Sequence, residues 1–222
     1  AKSFVQSLGV RHRIIDSGEL EQEAFVRNDR DRCYYCKQEL FGKLRAIADT
    51  EGITAILDGT NTDDSRDYRP GSRAAHEFGV RSPLAEAGMS KQDIRDLSQR
   101  LGLAVWDKPS LACLSSRIPY GTRITRELLD RVQAAEDAVR SMGIRQVRVR
   151  HHGDTARIEI RPADFSLLTA EGAAALVSRK LKELGYTYVC LDLEGYRTGS
   201  MNAALGADVA GINPRSHEGV AS

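Results

Sequence analysis

No apolar run in the 222 residues approaches the roughly 20 that a membrane-spanning helix needs. Residues 1–10 also lack the apolar stretch of a secretory leader. Cysteine is scarce: four residues in this length are too few for a disulfide scaffold and are read as reduced thiols or metal ligands. An excess of either charge is missing as well. Lys and Arg total 32 against 31 Asp and Glu, a net charge of +1. That argues against a protein that coats nucleic acid, while leaving local basic patches open. What is present is ordinary: 28% charged and 41% hydrophobic residues exclude wholesale disorder. The length fits one large or two small domains. Composition indicates a cytoplasmic α/β enzyme and stops there.

An initiator methionine is absent too. Residues 1–9 read as the second half of a helix, with Phe4, Val5 and Leu8 at i, i+1, i+4 and Gly9 as its stop. The expectation is a segment preceding this one; the alternative is a processed N-terminus with a short first helix. Elements then alternate. Residues 11–15 form an expected strand and residues 38–48 a helix with Leu40, Phe41, Leu44 and Ile47 on one side. Residues 53–57 suit a buried parallel strand ending at Asp58-Gly59. Residues 90–101 form a helix opened by a Ser90/Asp93 capping box, and residues 103–106 a further strand. Such spacing predicts a doubly wound parallel sheet, which places chemistry at the carboxyl ends of its strands. The loop at Asp58, Gly59, Thr60 and Asn61 is therefore a candidate site.

The second half has another pattern. Thr125 caps a helix whose stripe is Leu128, Leu129, Val132, Ala135, Val139 and Met142, and Gly143 ends it. Residues 146–152 and 155–161 alternate strictly and close as a hairpin at Gly153-Asp154. That register pairs Val149 with Ile158, Arg148 with Glu159, and Arg150 with Arg157, leaving every apolar residue on one side. A helix near 173–184 and a strand at 187–193 complete a small α+β unit. The expected domains are 1–115, 116–205 and a tail, 206–222.

Candidate chemistry begins with Cys33 and Cys36, spaced C-x₂-C, and with Cys113 far along the chain. Three thiolates fit a Cys₃His zinc site with His76 or His12 as fourth ligand. They equally fit a cubane iron–sulfur cluster with one iron left open. A dithiol redox pair is a third reading, and two cysteines without a ligand role a fourth. Cys190 sits within a strand pattern and reads as a small buried hydrophobe. The second constellation is basic. Arg150 opposite Arg157 is a like-charge pair that calls for an anion above it, and Arg117 after Ser116 is a further phosphate candidate. Glu136, at the edge of a buried helical stripe, needs a partner that a hairpin arginine would provide. The alternative is a solvated sheet face with a cross-strand Arg148–Glu159 pair. Asp58, Asp63, Asp64 and Asp67, with Arg66 and Arg69, form a loop suited to Mg²⁺ and nucleotide, or a polar turn cluster.

Four segments taken together, 57–61 (LDGTN), 67–71 (DYRPG), 114–122 (LSSRIPYGT) and 147–150 (VRVR), resemble the ATP-dependent sulfur transferases of lactate racemase nickel-pincer cofactor synthesis (LarE type). These belong to the PP-loop ATP pyrophosphatase superfamily. The resemblance is collinear from about residue 1 to Asn202. It implies an adenine-nucleotide α-hydrolase-like domain, N-terminally incomplete here, a small α+β domain, and a homo-oligomer. The implied reaction adenylates a carboxylate of a pyridinium biscarboxylate mononucleotide and replaces it with a thiocarboxylate. Asp58, Gly59, Thr60 and Asn61 match the nucleotide motif; Ser116, Arg117, Glu136, Arg148 and Arg150 match positions lining the phosphate and substrate site. One branch of the family sacrifices a cysteine of its own. The other holds a [4Fe-4S] cluster through three cysteines, and Cys33, Cys36 and Cys113 fit that second branch, with Cys113 also a catalytic candidate. The family's Ser-Gly-Gly-x-Asp-Ser phosphate loop occurs nowhere in this sequence. A leading strand, loop and helix are expected to be missing, so the chain as written should bind ATP and Mg²⁺ poorly. The source of sulfide is open, and neither a membrane nor a nucleic acid is an expected partner. Alternatives are a PP-loop enzyme that thiolates tRNA, and a non-catalytic zinc-stapled binding module.

Overall fold

The computed structural model describes residues 2–66, 70–109 and 111–197. Asp67, Arg69, Asn202 and the expected tail lie outside the described residues. The chain divides into two compact units. The first is Ala1–Phe25 with Arg30–Lys108; the second is Val26–Asp29 with Pro109–Ser222.

The first unit is mostly helical: α1 (Lys2–Ser7), α2 (Glu23–Val26, whose last residue belongs to the second unit), α3 (Arg32–Glu51), α4 (Gly71–Glu77), α5 (Pro83–Glu86) and α6 (Lys91–Arg100). α6 begins where the sequence places it. Ser90 accepts from the Asp93 amide while the Asp93 carboxylate takes the Ser90 amide, satisfying two otherwise orphaned donors. α3 is longer than periodicity suggests. It starts at Arg32, so both early cysteines are helical, and it stops at Gly52, whose φ of 68° lets its N–H reach the Ala48 carbonyl.

Two expected strands do not form. Residues 11–15 join no strand ladder, and Arg11 and Arg13 reach Glu51 at 2.8 and 3.2 Å instead. Residues 103–106 close on themselves, with Trp106 N–H to Leu103 O at 3.2 Å, so turn hydrogen bonds replace strand pairing. Residues 53–57 keep one parallel bridge, Leu57 to Arg81. Ile56 is buried, whereas Ile53 and Leu57 are exposed, so the run is not the fully buried strand its composition suggested.

The second unit matches its pattern closely. β1 (Val147–His152) and β2 (Thr155–Ile160) pair antiparallel in the expected register, Val149 with Ile158, Arg148 with Glu159, Arg150 with Arg157. Gly153 supplies the positive φ of the turn. β3 (Tyr188–Leu191) adds parallel to β2, reached through α8 (Phe165–Thr169) and α9 (Ala173–Glu183). α7 (Arg126–Arg140) is capped by Thr125, whose hydroxyl accepts from the Leu128 amide. Val147, Val149, Ala156, Ile158 and Ile160 join Ala135 and Val139 of α7 and Val177 and Leu181 of α9 in one core. Among the described residues the architecture is mixed α/β with one three-stranded sheet. No helix there is long and apolar enough to cross a membrane.

Asn28, in the four-residue piece contributed from the N-terminal side, closes the second unit. Its amide donates to the carbonyls of Ile118, Pro119 and Thr122 at 3.3, 2.7 and 3.0 Å. It holds φ 61°, a left-handed conformation that Asn tolerates better than most residues.

Candidate functional site

The polar face of the sheet is covered at Arg148, Arg150 and Glu159 and open at His152, Cys190 and Tyr188. Burial of the first three overturns the reading of a solvated cross-strand Arg148–Glu159 pair. Segment 112–118 accounts for much of this cover: the Arg150 guanidinium donates to the Ser116 carbonyl at 2.6 Å. The like-charge pair Arg150–Arg157 is bridged from within. Glu159 accepts from Arg150 at 3.0 and 2.9 Å and from Arg157 at 3.1 Å. No external anion is required at that point, contrary to the sequence reading. Glu159 lies diagonally across from Arg150, within reach of long side chains, so the signal was present and the directly opposed Arg148–Glu159 pair obscured it.

Glu136 also finds partners other than a hairpin arginine. Its side chain is fully buried and accepts from Arg117 Nε at 2.7 Å, from Arg117 Nη2 at 3.2 Å, and from Arg140 one turn along α7. It further takes the Val149 amide at 3.2 Å. β1 is an edge strand, so this N–H points away from β2 and would otherwise be an orphaned donor. Arg140 was legible at i, i+4 from Glu136; the Val149 amide was not.

Arg117 is 1% exposed and works as a strut. Besides Glu136 it donates to the Ala112 and Cys113 carbonyls and to Ser116 Oγ, each at 2.9 Å. The Ser116 hydroxyl donates to the Cys113 carbonyl at 2.8 Å. The backbone at Cys113 is thus fixed from two sides, while the cysteine itself is exposed. Arg148 donates to the Val147 carbonyl at 2.9 Å and lies 5.3 Å from the Tyr196 ring centre. Burial, then the neighbouring Arg117, holds its guanidinium below the ordinary arginine range; Arg150 adds to this.

Asp58, Gly59, Thr60 and Asn61, the residues expected on the nucleotide side, lie in the first unit. Asp58 accepts from the Thr60 amide at 3.0 Å, the Thr60 hydroxyl at 2.8 Å and Ser82 at 2.7 Å. Burial pushes its carboxyl up, but the hydrogen bonds from Ser82 and Thr60 outweigh that and set it below the usual carboxylate range. Asn61 donates to Asp64 at 2.8 Å, and Asp63 accepts the Lys91 amide at 2.7 Å. These carboxylates shape their own loop. Around Gly59 a side chain would meet open space, so packing places no demand for glycine there.

Cys33 and Cys36 share one face of the first turn of α3, both half-buried. Arg32 Nη2 lies 3.8 Å from Cys33 Sγ, and Cys36 Sγ lies 3.4 Å from Glu19 Oε2. Two soft donors at i, i+3 suit a thiophilic metal or a cluster, and with Cys113 they divide between the two units. Among the described residues no group of three His, Cys, Asp or Glu side chains is arranged to hold a metal ion, His12 and His76 included. Cys190 is exposed rather than buried. Its strand alternates, and Val189 and Leu191, not Cys190, pack against the core.

No family model matches the chain. Comparison with individual proteins is informative. The chain is 43% identical over 205 residues to an uncharacterised protein of Synechocystis sp., covering 92% of this chain and 76% of that one. It is 32% identical over 176 residues to an uncharacterised protein of Methanocaldococcus jannaschii, covering 79% and 68%. It is 41% identical over 208 residues to the pyridinium-3,5-bisthiocarboxylic acid mononucleotide synthase of Lactiplantibacillus plantarum, covering 92% and 74%. At that identity over nearly its whole length, this chain belongs to the LarE-type family of pyridinium-3,5-bisthiocarboxylic acid mononucleotide synthases.

Proposed function

We propose that this chain transfers sulfur to a pyridinium biscarboxylate mononucleotide, and that the second unit binds the substrate. The observation that carries this reading is the buried arginine face. Arg117, Arg148 and Arg150 are buried against two carboxylates of the same network, Glu136 and Glu159. Burial, Arg117 and Arg150 disfavour the charge of Arg148 while Tyr196 and Glu136 favour it, and a phosphate or carboxylate beside it adds to the favourable side.

In the reaction, a substrate carboxylate oxygen attacks the α-phosphorus of ATP and pyrophosphate leaves. A sulfide then adds to the acyl carbon, the bond to the AMP oxygen breaks, and AMP departs with its electron pair. Arg148 and Arg150 stabilise the phosphate and the developing oxyanion. Arg117 and Glu136 are positioning residues that fix the backbone at Cys113 beside them, which keeps the sulfur-bearing segment close to the reacting carbon. Cys33, Cys36 and Cys113 would hold a [4Fe-4S] cluster, which supplies the sulfide when bound. Asp58, Gly59, Thr60 and Asn61 belong to the ATP side, and the phosphate loop that completes that side is not in this sequence. The same reading carries a doubly wound adenine-nucleotide fold for the first unit, a homo-oligomer and a cytoplasmic setting.

Calorimetric titration of the chain with pyridinium-3,5-biscarboxylic acid mononucleotide tests it. Binding is expected for the parent chain and should weaken at least tenfold in Arg150→Ala and in Arg148→Ala. A chain that takes up no mononucleotide, or whose Arg variants bind it unchanged, refutes the reading.

A further inference from the structure

The register of the sheet sets out its polar face in rows. Arg150, Arg157 and Cys190 occupy one row across β1, β2 and β3; His152, Thr155 and Tyr188 occupy the next. Partners in register share a face, about 4.8 Å apart, and Val189 and Leu191 turn the other way into the core. Burial divides this face. Arg148, Arg150 and Glu159 are covered, whereas Arg157 is one-third exposed at 35% and Cys190, His152 and Tyr188 are open to solvent. The buried cationic surface therefore runs out to an accessible end.

That end is electrostatically prepared. Arg157 gives one Nη2 hydrogen bond to Glu159 at 3.1 Å. Its Nε is buried and donates no hydrogen bond, with Asp192 at 3.5 Å as an ion-pair neighbour. A buried N–H of that kind is normally satisfied. Partial desolvation, and then the charges of Arg157 and Arg150, push the exposed His152 imidazole below its ordinary pKa against the opposing pull of Glu159, which favours the neutral ring, able to donate one hydrogen bond.

We propose that Arg157 and His152 form a second anion subsite at the open end of this face, that it takes a carboxylate, and that the Cys190 thiol borders the bound group. This rests on the substrate reading above and extends it. A mononucleotide with two carboxylates carries three anionic groups, and the covered arginines Arg148 and Arg150 account for only part of them. The exposed Tyr188 ring in the adjoining row offers a face to a cationic pyridinium.

Alkylation of Cys190, followed by peptide mass spectrometry on the intact chain, reads the subsite directly. Pyridine-3,5-dicarboxylate is the probe, with chloride matching the ionic strength. The dicarboxylate should slow carbamidomethylation of Cys190 by iodoacetamide at least threefold and leave Cys33 and Cys36 unchanged. Arg157→Gln should erase the protection, and Arg157→Lys should retain part of it. An independent measurement needs no variant. The rate ratio of anionic iodoacetate to neutral iodoacetamide at Cys190, normalised to glutathione, should exceed unity about threefold. A ratio equal to that of glutathione, an unprotected Cys190, or protection that survives Arg157→Gln each overturns the proposal. If the mononucleotide fails to bind while Cys190 is still protected, the substrate reading falls and the subsite stands; the reverse result removes the subsite alone.

Discussion

Replacing Glu136 by Gln removes one negative charge from the centre of the second unit with almost no change of shape. Glu136 is fully buried, and so is Arg117, its bidentate partner. Arg140 is 29% exposed on its side chain and can turn to water, but Arg117 cannot. Stripping the partner from a buried ion costs about 3–5 kcal/mol, against a total stability on the order of 5–15 kcal/mol. For a chain of this length each kcal/mol lowers Tm by about 2–4 °C, so Glu136→Gln should melt on the order of 6–20 °C below the parent chain. Scanning calorimetry at pH 7.5 measures this. The double variant Arg117→Met with Glu136→Leu removes both charges. It should lose less than the two single losses added, with a coupling energy of about 1–3 kcal/mol. A Glu136→Gln protein melting within about 2 °C of the parent, or strictly additive losses in the double variant, would show that the buried pair does not govern the stability of this unit.

Two further outcomes are expected. The His151 imidazole is buried against the Tyr186 ring, and burial, then Arg131 and His152, depress its pKa; His152 is depressed as well. The unfolded chain then binds more protons below its ordinary pKa of about 6.5. Stability is therefore complete above that pH and is lost as pH falls toward the lower folded values. Thermal melts from pH 5.5 to 7.5 should show this slope and a flatter one in His151→Phe; parallel curves refute the assignment. For the thiols, protein reconstituted with iron and sulfide without oxygen should hold about four irons per chain and show the broad visible absorption of a thiolate-bound cluster. Cys113→Ala should abolish both. Iron content unchanged in that variant removes Cys113 from the ligand set, and about one zinc with no iron in the purified chain would indicate the stapled module instead.

Much of the second unit was legible because its information is local. Strict alternation fixed the faces of β1 and β2, Gly153 fixed the turn, and one register put every apolar residue on one side. Thr125 and Ser90 announced their helices for the same reason, since a cap satisfies amides only two or three residues away. Periodicity failed in the first unit. Whether residues 11–15 or 103–106 pair depends on neighbours distant in sequence, and here ion pairs to Glu51 and short turns took their place. The rows of β3 against β2 were invisible for the same reason, and with them the exposure of Cys190 beside Arg157.

The sequence by itself singled out the candidate residues: the three dispersed thiols, the arginines of β1, and the loop beginning at Asp58. It also marked Glu136 as a carboxylate that required a partner. Tertiary structure decided the pairing. Glu159 rather than an external anion joins Arg150 to Arg157, Arg117, Arg140 and the Val149 amide rather than a hairpin arginine satisfy Glu136, and Asn28 reaches three carbonyls more than 89 residues away. The physical reason is dielectric. A cation and a carboxylate adjacent in sequence are near neutral in water, and only burial, which depends on the whole fold, makes the choice of partner worth several kcal/mol.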